Sequence, residues 1–225
     1  MKELFLLIPG ILFPVILQVF EKKQDHKKAL LFKTLSSAVF VLLGFLLAQK
    51  KAADSFTVLI LLGLCFGLIG DFLLSLRHLL SDNMAAFFIG GGFFFLGHLC
   101  YLAALILPLS QNGRFLLFGL IASAIISAVL ITLLLRKIRA DRRFSILCGC
   151  YMAGVVTMAV MGIFRAISAG FTLQALLFMT GGIFFAASDT ILVENMWNPA
   201  WSFKKGCILI ALYYAAQLLI ACSLI

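Results

Sequence analysis

Charge is what this sequence has least of. Asp, Glu, Lys and Arg make up only 12% of its 225 residues, while 64% are hydrophobic and the mean hydropathy is +1.15. A soluble domain of this length could not hide so much apolar surface, and a disordered chain has the opposite composition. Histidine is scarce as well, three in all, which leaves little for a metal site built from several imidazoles. Long polar linkers are missing, so there is no room for a soluble domain, and neither a low-complexity segment nor an internal repeat is visible. The six cysteines (Cys65, Cys100, Cys148, Cys150, Cys207 and Cys222) fall within or beside apolar runs. Cys148 and Cys150, two apart, project to different sides of a helix. Packing residues are therefore read here rather than a disulfide framework or a metal site.

What the sequence does have is long apolar runs, each near the roughly 20 residues a helix needs to cross the hydrocarbon layer. They lie near 4–20, 29–48, 56–76, 84–107, 115–135, 144–166, 173–194 and 204–224. The expected architecture is all-α, a polytopic membrane protein whose bundle of eight transmembrane helices forms one domain over 1–225. The first run is read as a retained helix, because Pro14, Gln18 and Phe20 leave no small-residue cleavage site.

Basic residues are distributed unevenly. One side carries Lys2, Lys50, Lys51, Arg114 and Arg165. The other carries Lys22, Lys23, Lys27, Lys28, Arg77, Arg136, Lys137, Arg139, Arg142, Arg143, Lys204 and Lys205. By the positive-inside rule the second side is cytoplasmic and both termini lie outside, in a plasma or inner membrane. The same bias explains the net charge of +9 without nucleic acid as a partner. Trp197 and Trp201 read as a headgroup-level anchor, and His26 and His78 as interfacial loop residues.

Polar groups at membrane depth are expensive and normally face a bundle interior or a water-filled cavity. Here they are Lys33, Asp71, His98 and Asp189, joined by Tyr213, Tyr214 and Gln217 in the last helix. Helices one and five offer little beyond Ser123 and Ser127 and read as scaffold. Lys33 lies about four residues, roughly 6 Å, inside its helix. Asp71 and Asp189 lie about five residues from the same face of the membrane, so three charges from three helices share one level. His98 and Gln217 are nearer the midplane. Gly63, Gly67 and Asp71 follow an i, i+4, i+8 line with Gly70 alongside; Gly182, Ala186 and Asp189 follow i, i+4, i+7. Gly91, His98 and Tyr101 form a third stripe. Small residues mark faces where helices approach closely, so each polar group is expected to point at packed neighbours. The plainer alternatives are interhelical hydrogen bonding by either aspartate or by Gln217, a snorkelling Lys33, and a core histidine at 98. The run "AAFFIGGGFFFLG" (85–97) is read as packing and lipid contact.

Four motifs, "GDFLLSL" (70–76), "FFFLGHLCYLAAL" (93–105), "GGIFFAASDTIL" (181–192) and "YYAAQLLIACS" (213–223), together resemble the YhhN family, with the family's order and spacing. The resemblance covers essentially the whole chain and extends to Tyr151 and Met158. Lys33 is followed by Thr34 where family members often have proline. The resemblance implies a lysoplasmalogenase, a hydrolase that cleaves the vinyl ether of a lysophospholipid to a fatty aldehyde and a glycerophospho head group. For that activity the residues assigned on chemical grounds as catalytic are Asp71, Asp189 and His98. Lys33, Tyr101, Ser188, Tyr213, Tyr214 and Gln217 would bind substrate, Lys33 at the phosphate. No metal or cofactor is implied.

The chemistry suits the residues. Vinyl-ether cleavage begins with protonation of the β-carbon, passes through an oxocarbenium ion that water attacks, and ends with collapse of a hemiacetal. It needs a proton donor beside a negative charge, which two carboxylates with different protonation can supply. On this reading Asp71 and Asp189 are near neighbours, His98 orients water or relays a proton, and the lipid tail lies among the phenylalanines. Alternatives are a metal-dependent lipid amidase, or a transporter whose buried acids bind protons or sodium.

Overall fold

A computed structural model describes residues 2–50, 54–137, 142–196 and 202–225. Lys51, Arg139, Asp141, Trp197 and Trp201 lie outside the described residues. After a 3₁₀ turn over Lys2–Leu6 come α1 (Leu7–Lys22), α2 (His26–Ala48), α3 (Ser55–Leu79) and α4 (Met84–Leu109). They are followed by α5 (Gly113–Lys137), α6 (Arg142–Ser168), α7 (Leu173–Met196) and α8 (Phe203–Cys222). Each of these eight is long and apolar enough to cross a membrane, α1 together with the turn before it. Among the described residues there is no strand, so every backbone polar group in the apolar layer can be satisfied within its own helix, as hydrocarbon demands.

The helices run past their apolar cores, because polar side chains seal their ends. Asp25 accepts from Lys28 N at 3.1 Å, Asp54 from Thr57 N at 2.7 Å, and Asn83 from Ala85 N at 2.9 Å, each satisfying a donor that a helix start leaves open. Left-handed residues Gln24, Ser81, Asp82 and Phe171 turn the chain between helices. One expectation changes as a result. His26 begins α2 and His78 ends α3 rather than lying in loops, and their rings stack at 5.4 Å.

Six helices form a ring in the order α2, α3, α4, α6, α7, α8, closed by contact of α8 with α2 and α3. α1 packs outside on α2 and α8, and α5 outside on α6, the scaffold positions expected from their lack of polar groups. α3 and α4 approach most closely. Gly63, Gly67 and Gly70 face neighbours with no space to spare: a methyl group at 63 would strike the Tyr101 ring, one at 67 would sit 2.6 Å from Gln217 Nε2, and one at 70 would sit 2.6 Å from Phe94. The glycine line of α3 is thus a set of seats for particular side chains of α4 and α8. On α7, a methyl group at Gly182 would only reach ordinary contact with the backbone of Ala159 from α6, whereas one at Gly181 would sit 2.8 Å from Ile220 of α8.

The α4 stripe differs from its expected role. Gly90 and Gly97 make the contact with α3, whereas a side chain at Gly91 or Gly92 would meet nothing. At 100° per residue, Gly91 and His98 do share a face, but that face looks across the ring toward α6 and α7. α4 and α7 do not approach each other closely by backbone, and the space between them is filled by side chains and by a cavity.

Candidate active site

The buried ionisable residues Asp71, His98 and Asp189 fall into two clusters. In the first, the Asp71 carboxylate, 1% exposed, accepts hydrogen bonds at Oδ2 from Ser37 Oγ and from the Tyr213 hydroxyl, both at 2.6 Å. Lys33 Nζ stands 3.5 Å from Oδ1. Helix periodicity places Lys33 and Ser37 one turn apart on α2, and Ser37 also donates to the Lys33 carbonyl at 3.0 Å. Tyr214 donates to that carbonyl at 3.2 Å. Behind Tyr213 the chain of bonds continues. Gln217 Nε2 donates to the Tyr213 hydroxyl at 3.3 Å, and Tyr101 donates to Gln217 Oε1 at 2.8 Å. Six side chains from α2, α4 and α8 thereby form a network around the one carboxylate on α3.

The second cluster is smaller. Tyr151 of α6 donates to Asp189 Oδ2 of α7 at 2.7 Å. His98 Nε2 of α4 lies 3.2 Å from the Tyr151 hydroxyl and 3.4 Å from Asp189 Oδ2. His98 and Asp189 are 1% and 3% exposed. His98 Nδ1 is buried with no hydrogen-bond partner, an arrangement that ordinarily carries a free-energy cost.

Aromatic rings separate the two clusters. Phe185 presents an edge to His98 at 4.6 Å on one side and to Tyr213 at 5.4 Å on the other. Phe94 stands edge-on to Tyr213 at 5.8 Å. Among the described residues no hydrogen bond joins the two aspartates. The fold brings them to opposite faces of this aromatic partition.

A cavity of about 340 Å³ reaches the second cluster. Its walls come from Leu74 of α3, Phe87, Phe88, Phe94 and Phe95 of α4, Phe144 and Tyr151 of α6, and Leu192 and Val193 of α7, with Gly91 and Gly92 leaving open floor. The lining is almost wholly apolar. Cys148 and Cys150 both border it despite their spacing, so they line a void as well as pack. Tyr151 belongs to both worlds: its ring faces the cavity and its hydroxyl holds Asp189. The phenylalanines expected to pack include a subset that walls this space.

Other expected site residues fall as follows. Ser188 donates to the Leu209 carbonyl at 3.1 Å, tying α7 to α8 rather than reaching either cluster. Tyr101, Tyr213, Tyr214, Gln217 and Lys33 all join Asp71, and His98 joins Asp189. Ser37 and Phe185 were not anticipated. A serine one turn after the half-buried Lys33 was the available signal for the first; nothing local marks the second. Among the described residues no three His, Cys, Asp or Glu side chains cluster as a metal would need.

The model of the YhhN family matches residues 28–224. No curated protein and no solved structure matches the chain.

Proposed function

This chain belongs to the YhhN family, and from that premise we propose that it is a membrane-embedded hydrolase cleaving the vinyl-ether bond of a lysoplasmalogen. The observation that carries the reading is Tyr151, whose ring walls an apolar cavity and whose hydroxyl fixes a buried carboxylate beside an imidazole. A single alkenyl chain fits such walls, and its first carbons then meet the one set of proton-handling groups that borders them.

Asp189 is the proton donor in this reading, because its partner Tyr151 lines the cavity and no hydrogen-bond partner of Asp71 does. It protonates the β-carbon of the C=C–O unit, and the π electrons form the new C–H bond. The adjacent carbon becomes an oxocarbenium ion. Water held near His98 adds to that carbon and gives up a proton to the imidazole, whose Nε2 contacts to Tyr151 and Asp189 return it to the carboxylate. The hemiacetal then breaks its bond to the glycerol oxygen, and its hydroxyl proton ends on that oxygen. One water is consumed and one aldehyde and one glycerophospho product leave.

Asp71 supplies the fixed half of the site. Its negative charge opposes the developing cation across the Phe94 and Phe185 rings, while Lys33, Ser37 and Tyr213 hold it in place. Carboxylates in unlike surroundings are the usual way to keep one protonated and the other charged. Excluding bulk water strengthens such electrostatics.

On the positive-inside reading the cavity opens to the cytoplasmic half of the bilayer, and the lipid is taken from the inner leaflet. The deciding experiment incubates purified protein with lysophospholipids that differ only in linkage: vinyl ether, alkyl ether and ester. Aldehyde release from the vinyl ether alone supports the reading. Release of fatty acid from the ester alone would replace it with an esterase, and no release from any would favour transport.

A further inference from the structure

The cavity has a mouth, and the mouth carries an unusual cation. Phe87, Phe88 and Phe144 crowd together at its rim, with ring centroids 5.5 to 6.3 Å apart. Arg77, in the last turn of α3, lays its guanidinium over Phe87 at 5.0 Å from the ring centre. It is three residues beyond Leu74, which lines the cavity, so helix spacing sets it one turn above on the same face.

Arg77 has spare hydrogen-bonding capacity. Its Nε is buried without a hydrogen-bond partner. The nearest carboxylate oxygen, Asp82 Oδ1, is 3.9 Å away and is already held by His78 Nδ1 at 2.8 Å. Its side chain is 29% exposed. Lys33, which lies deeper, shares its charge with Asp71. Across the rim, Arg142 and Arg143 open α6 directly before Phe144, and both are exposed. An apolar bore with a half-buried guanidinium fork and further arginines around its opening suits a single-chain lipid bearing a phosphate. Guanidinium offers paired donors in a plane that match two phosphate oxygens, and ring stacking pre-orders it.

We propose that Arg77 is the headgroup-recognition residue of this protein, binding the phosphate of a lysophospholipid whose tail fills the cavity. The inference rests on the hydrolase reading for its choice of lipid, but it is tested by binding as well as by turnover.

The experiment compares wild type, Arg77→Gln and Arg77→Lys, each checked for a monodisperse elution profile. The ligands are a saturated alkyl-ether lysophospholipid that cannot be cleaved, the matching alkylglycerol without phosphate, and glycerol phosphate without a tail. Affinity is read by calorimetry in detergent. Arg77→Gln is expected to weaken the lysophospholipid at least tenfold and leave the alkylglycerol unchanged. Arg77→Lys falls between the two, because it keeps charge and loses the fork. Glycerol phosphate binds none of the forms measurably. With vinyl-ether substrates, Arg77→Gln raises KM for the phosphate-bearing lipid and leaves kcat, and both constants for alkenylglycerol, as in wild type. Equal weakening of both alkyl ligands, or no weakening of either, overturns the proposal, as does tight binding of glycerol phosphate alone. Should Arg77→Gln not purify intact, an unchanged lysophospholipid affinity in Arg77→Lys overturns it, and a loss confined to that ligand supports it. If wild type cleaves no vinyl ether yet the binding differences appear, the hydrolase reading fails and the recognition site stands.

Discussion

Replacing Tyr151 with phenylalanine isolates one atom of the proposed machinery. The ring remains to wall the cavity, but the hydroxyl that donates to Asp189 at 2.7 Å and contacts His98 at 3.2 Å is gone. Asp189 is protonated when it acts, so this is a bond between neutral groups, worth about 0.5–1.5 kcal/mol net. If that bond orients Asp189 for carbon protonation, its loss raises the barrier by a similar amount, or roughly 2- to 12-fold in rate. The loss should appear in kcat, since the tail's contacts are untouched and KM with them. The assay is continuous aldehyde detection, coupled to a nicotinamide-dependent dehydrogenase, over a range of lysoplasmalogen concentrations. A variant with normal kcat would refute the claim that Tyr151 positions Asp189. A raised KM with unchanged kcat would recast the hydroxyl as a substrate contact.

Further outcomes follow from the same geometry. Asp189→Asn should lower kcat by at least about 100-fold, the usual minimum for a positioned acid, and Asp71→Asn should lower kcat by removing the fixed charge, while thermal unfolding in detergent shows both still folded; full activity in both would end their assignment. Gly91→Leu puts a side chain into open cavity floor and should shift preference toward shorter tails, read from the chain-length profile of KM. Gly67→Ala forces Gln217 away from the Tyr213 hydroxyl and should destabilise the protein by about 1–3 kcal/mol, as overpacking commonly does; melting at the wild-type temperature would show the helices can part without cost. Substrate held in the inner-facing leaflet of oriented vesicles should turn over faster than substrate in the other leaflet, and the reverse preference would contradict the proposed side of access.

The fold was nearly all legible, for a physical reason. Hydrocarbon leaves a helix of about 20 apolar residues as the cheapest crossing for this chain, so counting apolar runs counted helices. Element ends were less legible. Asp25, Asp54 and Asn83 extend the helices into the interface through caps that hydropathy does not weigh. Side-chain grouping was legible in part. Glycine lines on α3 correctly marked the face holding Asp71, because a missing Cβ leaves room for Tyr101, Gln217 and Phe94. On α4, three successive glycines (Gly90, Gly91 and Gly92) made packing and void look alike in sequence. Only the backbone shows that Gly90 touches α3 while Gly91 faces a cavity. The partition by Phe185 was hidden for a similar reason, since a phenylalanine among 23 has no local mark of standing between two acids.

The sharpest measurement is isotopic. Turnover in D₂O enriched in ¹⁸O, with the aldehyde trapped as it forms, should give one deuterium on the carbon next to the carbonyl and no ¹⁸O in the glycerophospho product. An aldehyde without that deuterium, or label in the glycerol oxygen, would mean that carbon is not protonated and that the acids on α3 and α7 serve some other chemistry.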